Sequence, residues 1–561
     1  MRHSLPFGKK RCAMKRAAMT VALPIIVALI GLAREAAAQP SPRLPLGDPV
    51  YEELDQVAGS GLVTTIIYGQ RPWTRAEVAR IVAAANEELS VHAVSSSTRR
   101  VLARLSGRFA KELRASSMPI SREPTIARWI RPEAGQGNLE LLGLDSPSRD
   151  IPTTPVGGVA ADLNPVINER GGRRYAQGET VSTEWNGAWT LGNRALLALQ
   201  PRLATGGGSS GQFSEATLQG ASLGFESRNL VVEVGRQPLV WGQGMAGGLL
   251  LSTSGRPLDM IRVATARPWR APWVFRWLGM LRGSAFLADL GPHQNFPHAK
   301  IAAYKLSGDV TSYFEFSAAV LVHEGGRGSP SVSPLDRLID FIPAIKYAIH
   351  GDSTQFSNKL AGFDSRFRIP ALHGLQLYTE HVFDDADPRR WKSTLWQDTG
   401  HILGLSLAQL GPQGAMAAAA EFHHTGIRYY EHATFISGVA FNRTLLGDPL
   451  GPQGDGGYLR LRHDAGGAQT WRIDAAVERR GGDVWGTRSV GPHDAHFTFV
   501  LERHQPAEWR HRLAVQWSLA ASPRQRLTLE GGVERVRDAG FVAGARRVNR
   551  LGAVEWTWLA W

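Results

Sequence analysis

The 561-residue chain contains a single cysteine, Cys12. Because Cys12 precedes the apolar stretch near the N-terminus, the rest of the chain has no thiol for a disulfide, a cysteine nucleophile or a thiolate metal ligand. Beyond residue 38 the sequence also has no run of 18 or more apolar residues, which a membrane-spanning helix would need. These absences argue against a disulfide scaffold, a thiol enzyme and a helical membrane protein.

Catalytic and metal-binding motifs are also scarce. The sequence contains no H-E-x-x-H, the signature of one class of metal-dependent hydrolases. Gly242–Gly247 matches G-x-G-x-x-G, but no helix is expected after it, so we interpret it as a glycine-rich connection between strands. His423 and His424 would point to opposite faces of a strand and would not share a metal. We predict no enzyme activity, no metal and no cofactor, although a catalytic triad assembled in space stays open.

The first 38 residues have the pattern of a secretory signal. Basic residues precede a mostly apolar stretch, and Ala36–Ala38 form a small-residue cleavage site before Gln39. An uncleaved anchor helix is the alternative. The net charge of the whole chain is +13, but seven of its Lys and Arg residues lie in this segment. Since an exported protein seldom meets nucleic acid, an acidic polysaccharide or the phosphate of lipopolysaccharide is the expected anionic partner.

The clearest structural signal is a hairpin within residues 356–384. The first strand, residues 357–369, alternates apolar with polar side chains, and the return strand after a turn at 370–374 does the same. The apolar side chains share one face, which would meet lipid. The polar side chains share the other face and are predicted to face a barrel lumen: Asp364, Arg366, Arg368 and Glu380.

Similar half-apolar segments recur to the end of the chain, so the predicted fold is mainly β. We expect a large antiparallel transmembrane β-barrel of about 18 strands with a small N-terminal periplasmic α-helical bundle. Helices are predicted near residues 48–58, 74–89 and 97–115, and Thr74 with Glu77 would form a capping box. The predicted domains are a signal peptide at 1–38, the helical bundle at 39–116, a linker at 117–157 and the barrel at 158–561.

Connection lengths predict the orientation of the barrel, because such barrels have short periplasmic turns and longer extracellular loops. Short links are expected at 192–193, 307–309, 411–414 and 465–468. Extracellular segments are expected at 206–212, 323–355, 384–398 and 425–455, and residues 334–350 have the spacing of a loop helix. The alternation of strand direction fails after residue 480, so one strand there is assigned wrongly.

The segment 384–398 has the composition expected of a binding loop. Aromatic faces stack on sugar rings, and arginine pairs with carboxylates through two parallel hydrogen bonds. An acidic polysaccharide is the predicted ligand, and the alternative is a solvated loop with interfacial tryptophans. The predicted ligand-binding residues are Asp385, Arg389, Arg390, Trp391, Lys392 and Trp396.

Several stretches together resemble the Wzi-type capsule assembly proteins. The resemblance is carried by Tyr51–Asp55, residues 61–62 and 69–78, Gly235–Pro238, Trp241–Gly244 and residues 358–366. The helix pair alone also resembles surface-layer homology modules. The family implies an outer-membrane barrel with a periplasmic helical bundle and a lectin-like activity that holds capsular polysaccharide at the cell surface, without catalysis.

The resemblance provides no ligand motif that can be placed residue by residue, so the predicted site rests on chemistry alone. Outer-membrane lipids and lipopolysaccharide are further expected partners of such a barrel. Two other functions stay open: a porin or saccharide channel with a surface-layer-type periplasmic module, and an outer-membrane lipid or glycan hydrolase.

Overall fold

A computed structural model describes most of the chain. The described residues are 40–117, 130–146, 149–150, 162–164, 166–167, 170–208, 211–271, 273–330, 333, 357–384, 395–427, 429–430, 432, 434–481, 484–489, 497–502 and 506–560. Four N-terminal helices are followed by one closed antiparallel barrel.

The barrel has eighteen strands within these described ranges. Each pairs with its neighbours in the chain, and the first pairs with the last. The strands are β1 Ile130–Leu144, β2 Gly178–Leu191, β3 Ala195–Gly208, β4 Gly211–Ser227, β5 Leu230–Gln237, β6 Leu258–Thr265, β7 Met280–Asp289, β8 Lys300–Thr311, β9 Phe314–Glu324, β10 Ser357–Ile369, β11 Leu375–Asp384, β12 Thr399–Leu410, β13 Met416–Thr425, β14 Gly454–Gly466, β15 Gln469–Arg480, β16 Glu508–Ser522, β17 Gln525–Arg537 and β18 Arg546–Leu559.

Alternation along the strands separates two surfaces of the barrel. Phe363 and Phe367 of β10 are 40% and 45% exposed, whereas Asp364 and Arg366 between them are buried. The same alternation on the other strands produces an apolar outer surface and a polar inner one, as period-2 geometry requires. The predicted fold class, a large antiparallel β-barrel of about 18 strands, is confirmed.

The strand connections differ between the two ends of the barrel. At one end, here called the short-turn end, links such as 192–194, 370–374 and 467–468 are brief; the opposite long-loop end has connections such as 325–356 and 426–453. Two predicted connections are wrong. Residues 307–309 lie within β8, because Gly308 continues the ladder, and 206–212 is not a long loop, because residues 206–208 end β3, residues 211–212 begin β4 and Gly208 pairs with Gly211.

Two predicted boundaries are also wrong. The expected linker at 117–157 contains β1, whose glycines and Pro132 are accommodated in a strand with a bulge between Pro132 and Ala134. The barrel therefore begins at residue 130 and not at 158. The strand-like segment at 497–502 pairs with 484–489 in a separate two-stranded sheet, so β15 is followed in the barrel by β16. This hairpin explains why the strand directions could not be reconciled after residue 480.

The N-terminal helices are α1 Val50–Gly59, α2 Arg75–Glu88, α3 Ser96–Arg108 and α4 Ala110–Ser117. The third predicted helix is thus two helices that are separated at Phe109, which leaves the helical conformation. Thr74 caps α2 by accepting the Glu77 N–H at 3.2 Å, as predicted. Within the described ranges, no helix is both long and apolar enough to cross a membrane.

The helices pack at the short-turn end of the barrel. Gln56 Nε2 donates to the carbonyl of Gly414 at 3.2 Å, and Ser96 Oγ donates to Gln413 Oε1 at 2.9 Å. Inside the bundle, burial raises the pKa of Asp48, but the charge and hydrogen bonds of Arg108 outweigh this effect and the net shift is downward. The two guanidinium hydrogen bonds to Asp48 measure 2.9 and 2.5 Å and join the start of α1 to the end of α3.

Three segments of the chain enter the lumen: residues 62–72, 239–255 and 426–453. Two short strand pairs order these lumen segments: Gln70–Arg71 pairs with Val240–Trp241 and joins the first segment to the second, and Ala440–Phe441 pairs with Thr444–Leu445 within the third. The apolar side chains of the second and third segments form the largest buried cluster of the described residues together with inward-facing side chains of the barrel. That cluster includes Trp241, Leu249, Leu250, Tyr429, Tyr430 and Phe441, packed with Phe286, Leu321, Leu360 and Ile402.

Candidate functional site

The glycine loop, residues 242–249, is anchored to the barrel wall through its backbone. The buried Glu380 carboxylate of β11 accepts the N–H groups of Gln243, Gly244 and Leu249, the last two at 2.7 and 3.1 Å. A carboxylate that accepts three backbone N–H groups satisfies donors that would otherwise be unpaired in the lumen. The loop is therefore fixed against β11.

A second carboxylate holds the middle of the same loop. Glu421 of β13 accepts the N–H groups of Met245 and Ala246 at 2.6 and 3.0 Å, and the Tyr378 hydroxyl donates to it at 2.7 Å. Gly242 has φ +146°, and a Cβ there would collide with the Glu380 carboxylate. In a nucleotide-binding G-x-G-x-x-G loop the backbone N–H groups point at a phosphate, whereas the N–H groups of this glycine loop point at the chain's own carboxylates.

The other polar residues of the β10–β11 hairpin also contact the lumen segments. Asp364 forms an ion pair with Lys305 and accepts a hydrogen bond from Gln243 Nε2 at 2.7 Å. Arg366 donates to Gln243 Oε1 at 2.8 Å and lies 4.4 Å from the ring centroids of both Tyr68 and Tyr378. Instead of pairing with one another across the hairpin, these side chains join the barrel wall to the glycine loop and to the N-terminal segment.

The N-terminal lumen segment is held in the same way. Glu315 of β9 accepts the N–H groups of Tyr68 and Gly69, both at 2.8 Å. Arg368 pairs with Asp309 at 2.8 Å and donates to the carbonyl oxygen of Ile66 at 3.3 Å. These contacts fix the chain that leads from α1 to α2 inside the barrel.

The third lumen segment is held by a buried histidine. The ring nitrogens of His423 lie 2.6 Å from Asp448 Oδ2 and 2.9 Å from Glu421 Oε2, and all three side chains have 0% exposure. This acid–histidine–acid arrangement resembles the base and orienting group of a catalytic triad. Because both ring nitrogens are engaged and the group is sealed from solvent, its geometry suits cross-linking of the lumen segments. His424 points to the opposite face of β13.

Sequence reasoning missed the partners of these lumen carboxylates. It placed Glu380 on a lumen-facing surface but did not connect it with the glycine-rich stretch more than 130 residues earlier. The signal that was available is a glycine-rich connection without a helix after it, together with inward-facing carboxylates on distant strands. The pattern alone does not specify which carboxylate meets which loop.

Only one residue of the predicted ligand-binding loop can be placed. Asp385, Arg389, Arg390, Trp391 and Lys392 lie outside the described residues.

Trp396 lies in a single helical turn at the long-loop end and is 57% exposed. Its ring stacks on the ring of His424, with centroids 3.7 Å apart and an interplanar angle of 19°. His424 is fixed by Asp455 at 2.8 Å and by the Trp396 carbonyl oxygen at 2.8 Å. The result is a stacked aromatic pair, here called the Trp396 platform, in which more than half of the tryptophan surface is exposed.

A shallow cleft opens between the N-terminal segment and the barrel wall at the short-turn end. Its lining includes Arg43 and Arg262, both of which pair with Glu233 at 2.6 Å. This cleft lies at the opposite end of the barrel from Trp396. Within the part of the chain that the structure describes, no cluster of three or more His, Cys, Asp or Glu side chains is arranged to hold a metal ion.

Comparison with solved structures identifies a full-length counterpart. The chain superimposes with a TM-score of 0.62 and 18% identity on Wzi, described as an outer membrane protein involved in group 1 capsule assembly in Escherichia coli and as a carbohydrate-binding β-barrel. The match covers 91% of this chain and 98% of that protein. At this identity the similarity establishes a shared fold.

Other solved barrels are more distant. OccD3 (OpdP) of Pseudomonas aeruginosa has a TM-score of 0.41 and 9% identity, over 77% of this chain and 91% of that one. OccAB1 of Acinetobacter baumannii has a TM-score of 0.40 and 9% identity, over 76% and 97%. Comparison with curated proteins gives no significant match.

The sequence profile of the family described as capsule assembly protein Wzi matches residues 148–551. This range includes sixteen of the eighteen barrel strands in whole, β2 to β17, and the beginning of β18, and it contains the glycine loop, the histidine that anchors the third lumen segment and Trp396. It confirms the resemblance that was first visible in short motifs. The chain belongs to the Wzi family of capsule assembly proteins.

Proposed function

We propose that this protein is an outer-membrane barrel that binds capsular or other surface polysaccharide and holds it at the cell surface. The observation that carries this proposal is the occupied lumen: three segments of the chain are fixed inside the barrel by inward-facing Glu315, Glu380, Glu421 and His423. Such anchoring favours a binding platform over an open pore. The related E. coli barrel is described as carbohydrate-binding, which supports the same function.

The proposed orientation follows from the two ends of the barrel. Barrels of this type have short periplasmic turns and longer extracellular loops. The four helices would then lie on the periplasmic side, and Trp396 would lie on the extracellular side. Residues 1–38 would direct export and be cleaved, and the exposed apolar side chains such as Phe363 and Phe367 would contact lipid.

The proposed polysaccharide site is the Trp396 platform together with residues that precede it in the sequence, Asp385, Arg389, Arg390, Trp391 and Lys392. Aromatic rings present large, rigid apolar faces to sugar rings, and arginines bind carboxylates through paired hydrogen bonds. Trp396 is already positioned by its stacking on His424. Binding at this site requires no covalent chemistry, and we propose no catalytic role for the protein.

The proposal is tested with cells that lack the protein and are complemented with variants. Trp396→Ala should lower the ratio of cell-bound to released polysaccharide, because the variant lacks the apolar ring face on which a sugar ring would pack. Trp471→Ala is the matched control: Trp471 is also exposed, at 44%, but it lies near the short-turn end of β15. Both variants should shift on gels between unboiled and boiled samples, which shows a folded barrel.

Retention by Trp396→Ala equal to that of the parent would exclude the platform as a principal contact. If cells without the protein retain polysaccharide as well as the parent does, the holding function itself is wrong. Steady conductance of the parent barrel in a planar bilayer would support the porin alternative.

A further inference from the structure

The outer surface of β17 and β18 carries a cluster of arginines near the long-loop end. We define the arginine patch as Arg535, Arg537, Arg546 and Arg550, all of which are exposed. They share the outward parity of Val533 and Val548, which are 41% and 45% exposed. The patch therefore lies on the same surface as the apolar band, at the end where the long loops leave the barrel.

Strand register brings the arginines of the patch close together. Arg537 lies directly opposite Arg546, Arg535 lies opposite Val548, and Val533 lies opposite Arg550. Directly opposed residues have Cα atoms about 4.5–5.5 Å apart, and successive outward residues on one strand are about 6.8 Å apart. Like charges at such positions repel one another and destabilise the pair.

The acidic side chains near the patch are engaged elsewhere. Glu534 faces inward and pairs with Arg510 at 2.5 Å, and Asp538 accepts the N–H of Gly544 at 2.7 Å. Asp145 approaches Arg550 only to 3.8 Å, and the Arg550 side chain is 76% exposed. Within the described residues, Arg535, Arg537 and Arg546 have no ion pair.

Two outward-facing cations on other described strands at this end of the barrel are neutralised. Arg236 of β5 forms two hydrogen bonds with Asp259 of β6, at 2.9 and 2.6 Å, and Lys300 of β8 pairs with Asp289 of β7 at 2.5 Å. The arginine patch thus differs from these positions in its surplus of positive charge. Such a surplus requires an external anion to relieve the repulsion.

We propose that the arginine patch binds the phosphate groups of an anionic lipid in the leaflet that surrounds the long-loop end. Guanidinium groups bind phosphate through paired hydrogen bonds, and one phosphate could bridge the opposed Arg537 and Arg546. A lipid is the indicated source because the patch borders the apolar band, where headgroups lie. Trp509, directly opposite Arg537 on β16, adds an aromatic side chain of the kind found at membrane interfaces.

This inference rests on the proposed membrane placement, and the experiment separates the two. The refolded barrel is inserted into phosphatidylcholine vesicles that contain a minor fraction of bisphosphorylated lipid A, or of the same lipid with its phosphates removed. Lipid that stays bound after detergent extraction is measured by native mass spectrometry. Insertion is measured separately by the gel shift between unboiled and boiled samples, so failure of the parent to insert would refute the membrane placement rather than lipid specificity.

We expect the parent to retain the phosphorylated lipid and to discriminate against the dephosphorylated one. Arg537→Gln with Arg546→Gln should weaken retention roughly tenfold or more, since each cation near an anionic membrane surface contributes substantially to attraction. Arg537→Lys with Arg546→Lys should retain part of the binding, because it keeps charge but loses bidentate geometry. Arg524→Gln, an exposed arginine at the turn of the opposite end, is the matched control and should bind like the parent.

Equal retention by the glutamine double variant and the parent would overturn the proposal, as would equal retention of both lipids by the parent. A further arm replaces the phosphorylated lipid with a soluble uronic-acid polysaccharide. The lipid proposal would be refuted, and the patch assigned to polysaccharide, by two results together: the parent binds this polysaccharide and the glutamine double variant does not, and the parent does not discriminate between the two lipids.

Discussion

Replacement of Glu380 by glutamine should release the glycine loop from the barrel wall. The Glu380 carboxylate accepts three backbone N–H groups, and its residue is only 2% exposed, so solvent screening is slight. In Glu380→Gln the amide keeps one oxygen acceptor but directs an NH₂ group at one of the former donors. The variant therefore loses one acceptor and weakens the remaining hydrogen bonds.

The expected cost follows from these bonds. A net hydrogen bond to a charged group contributes about 1.5–3 kcal/mol, and a neutral bond about half as much. One lost bond and two weakened ones together amount to roughly 3–6 kcal/mol. Because 1.4 kcal/mol corresponds to a factor of ten, the loop should open at least about a hundredfold more often.

Hydrogen exchange measures this opening directly in the refolded, inserted barrel. The backbone amides of Gly244 and Leu249 should exchange at least about a hundredfold faster in Glu380→Gln than in the parent, if exchange follows the open population. Glu133→Gln is the control, because the Glu133 carboxylate accepts hydrogen bonds from Thr190 and Lys111 and, among the described residues, from none of the glycine loop. Unchanged exchange of the loop amides in Glu380→Gln would refute the anchoring role of Glu380.

Three further predictions follow from the contacts described above. Phe363→Arg should destabilise the assembled barrel by about 2–4 kcal/mol if Phe363 meets lipid. Asp364→Asn should impair assembly comparably, since it leaves the buried Lys305 without its charge partner. Folded yields of both variants equal to that of the parent would contradict these assignments. Deletion of the four helices with the connections between them should raise planar-bilayer conductance, because the N-terminal lumen segment is removed; an unchanged conductance would show that this segment does not obstruct the pore. Asp48→Asn should destabilise the bundle at neutral pH but much less in acid. Because folding lowers the pKa of Asp48, its carboxylate stabilises the bundle above the pKa of about 3.9 that it has in the unfolded chain, and this stabilisation is lost as the pH falls through its pKa in the folded protein. Denaturant midpoints of parent and variant are compared at both pH values, and an equal difference between them at the two pH values would refute the linkage.

The β10–β11 hairpin shows how much of the fold is predictable from local sequence. Period-2 alternation located both strands and their inward and outward faces, because a strand between lipid and lumen needs two different surfaces. The comparison of Phe363 and Asp364 also shows the limit. Alternation placed Asp364 opposite the lipid face, but the cost of its replacement depends on Lys305 two strands away, which no local pattern specifies.

Other features depend on contacts that are distant in the chain. The hairpin of residues 484–489 and 497–502 has strand-like sequence, but its pairing with itself excludes it from the barrel. Gly308 suggested a turn, although its lack of a side chain is compatible with a place inside β8. The glycine loop was located as a connection between strands, while its insertion into the lumen depends on Glu380 and Glu421. Contacts between residues that are distant in the sequence thus determine how the lumen segments are held, and these contacts can be identified only once the strands are assembled.

The central claim is that a barrel with an occupied lumen holds polysaccharide at the membrane surface. The most direct test is co-sedimentation of purified surface polysaccharide from the native bacterium with vesicles that contain the inserted barrel. The proposed function predicts saturable co-sedimentation that weakens with added salt, since exposed charges contribute to binding and are screened. Sedimentation of no more polysaccharide than with protein-free vesicles would contradict it.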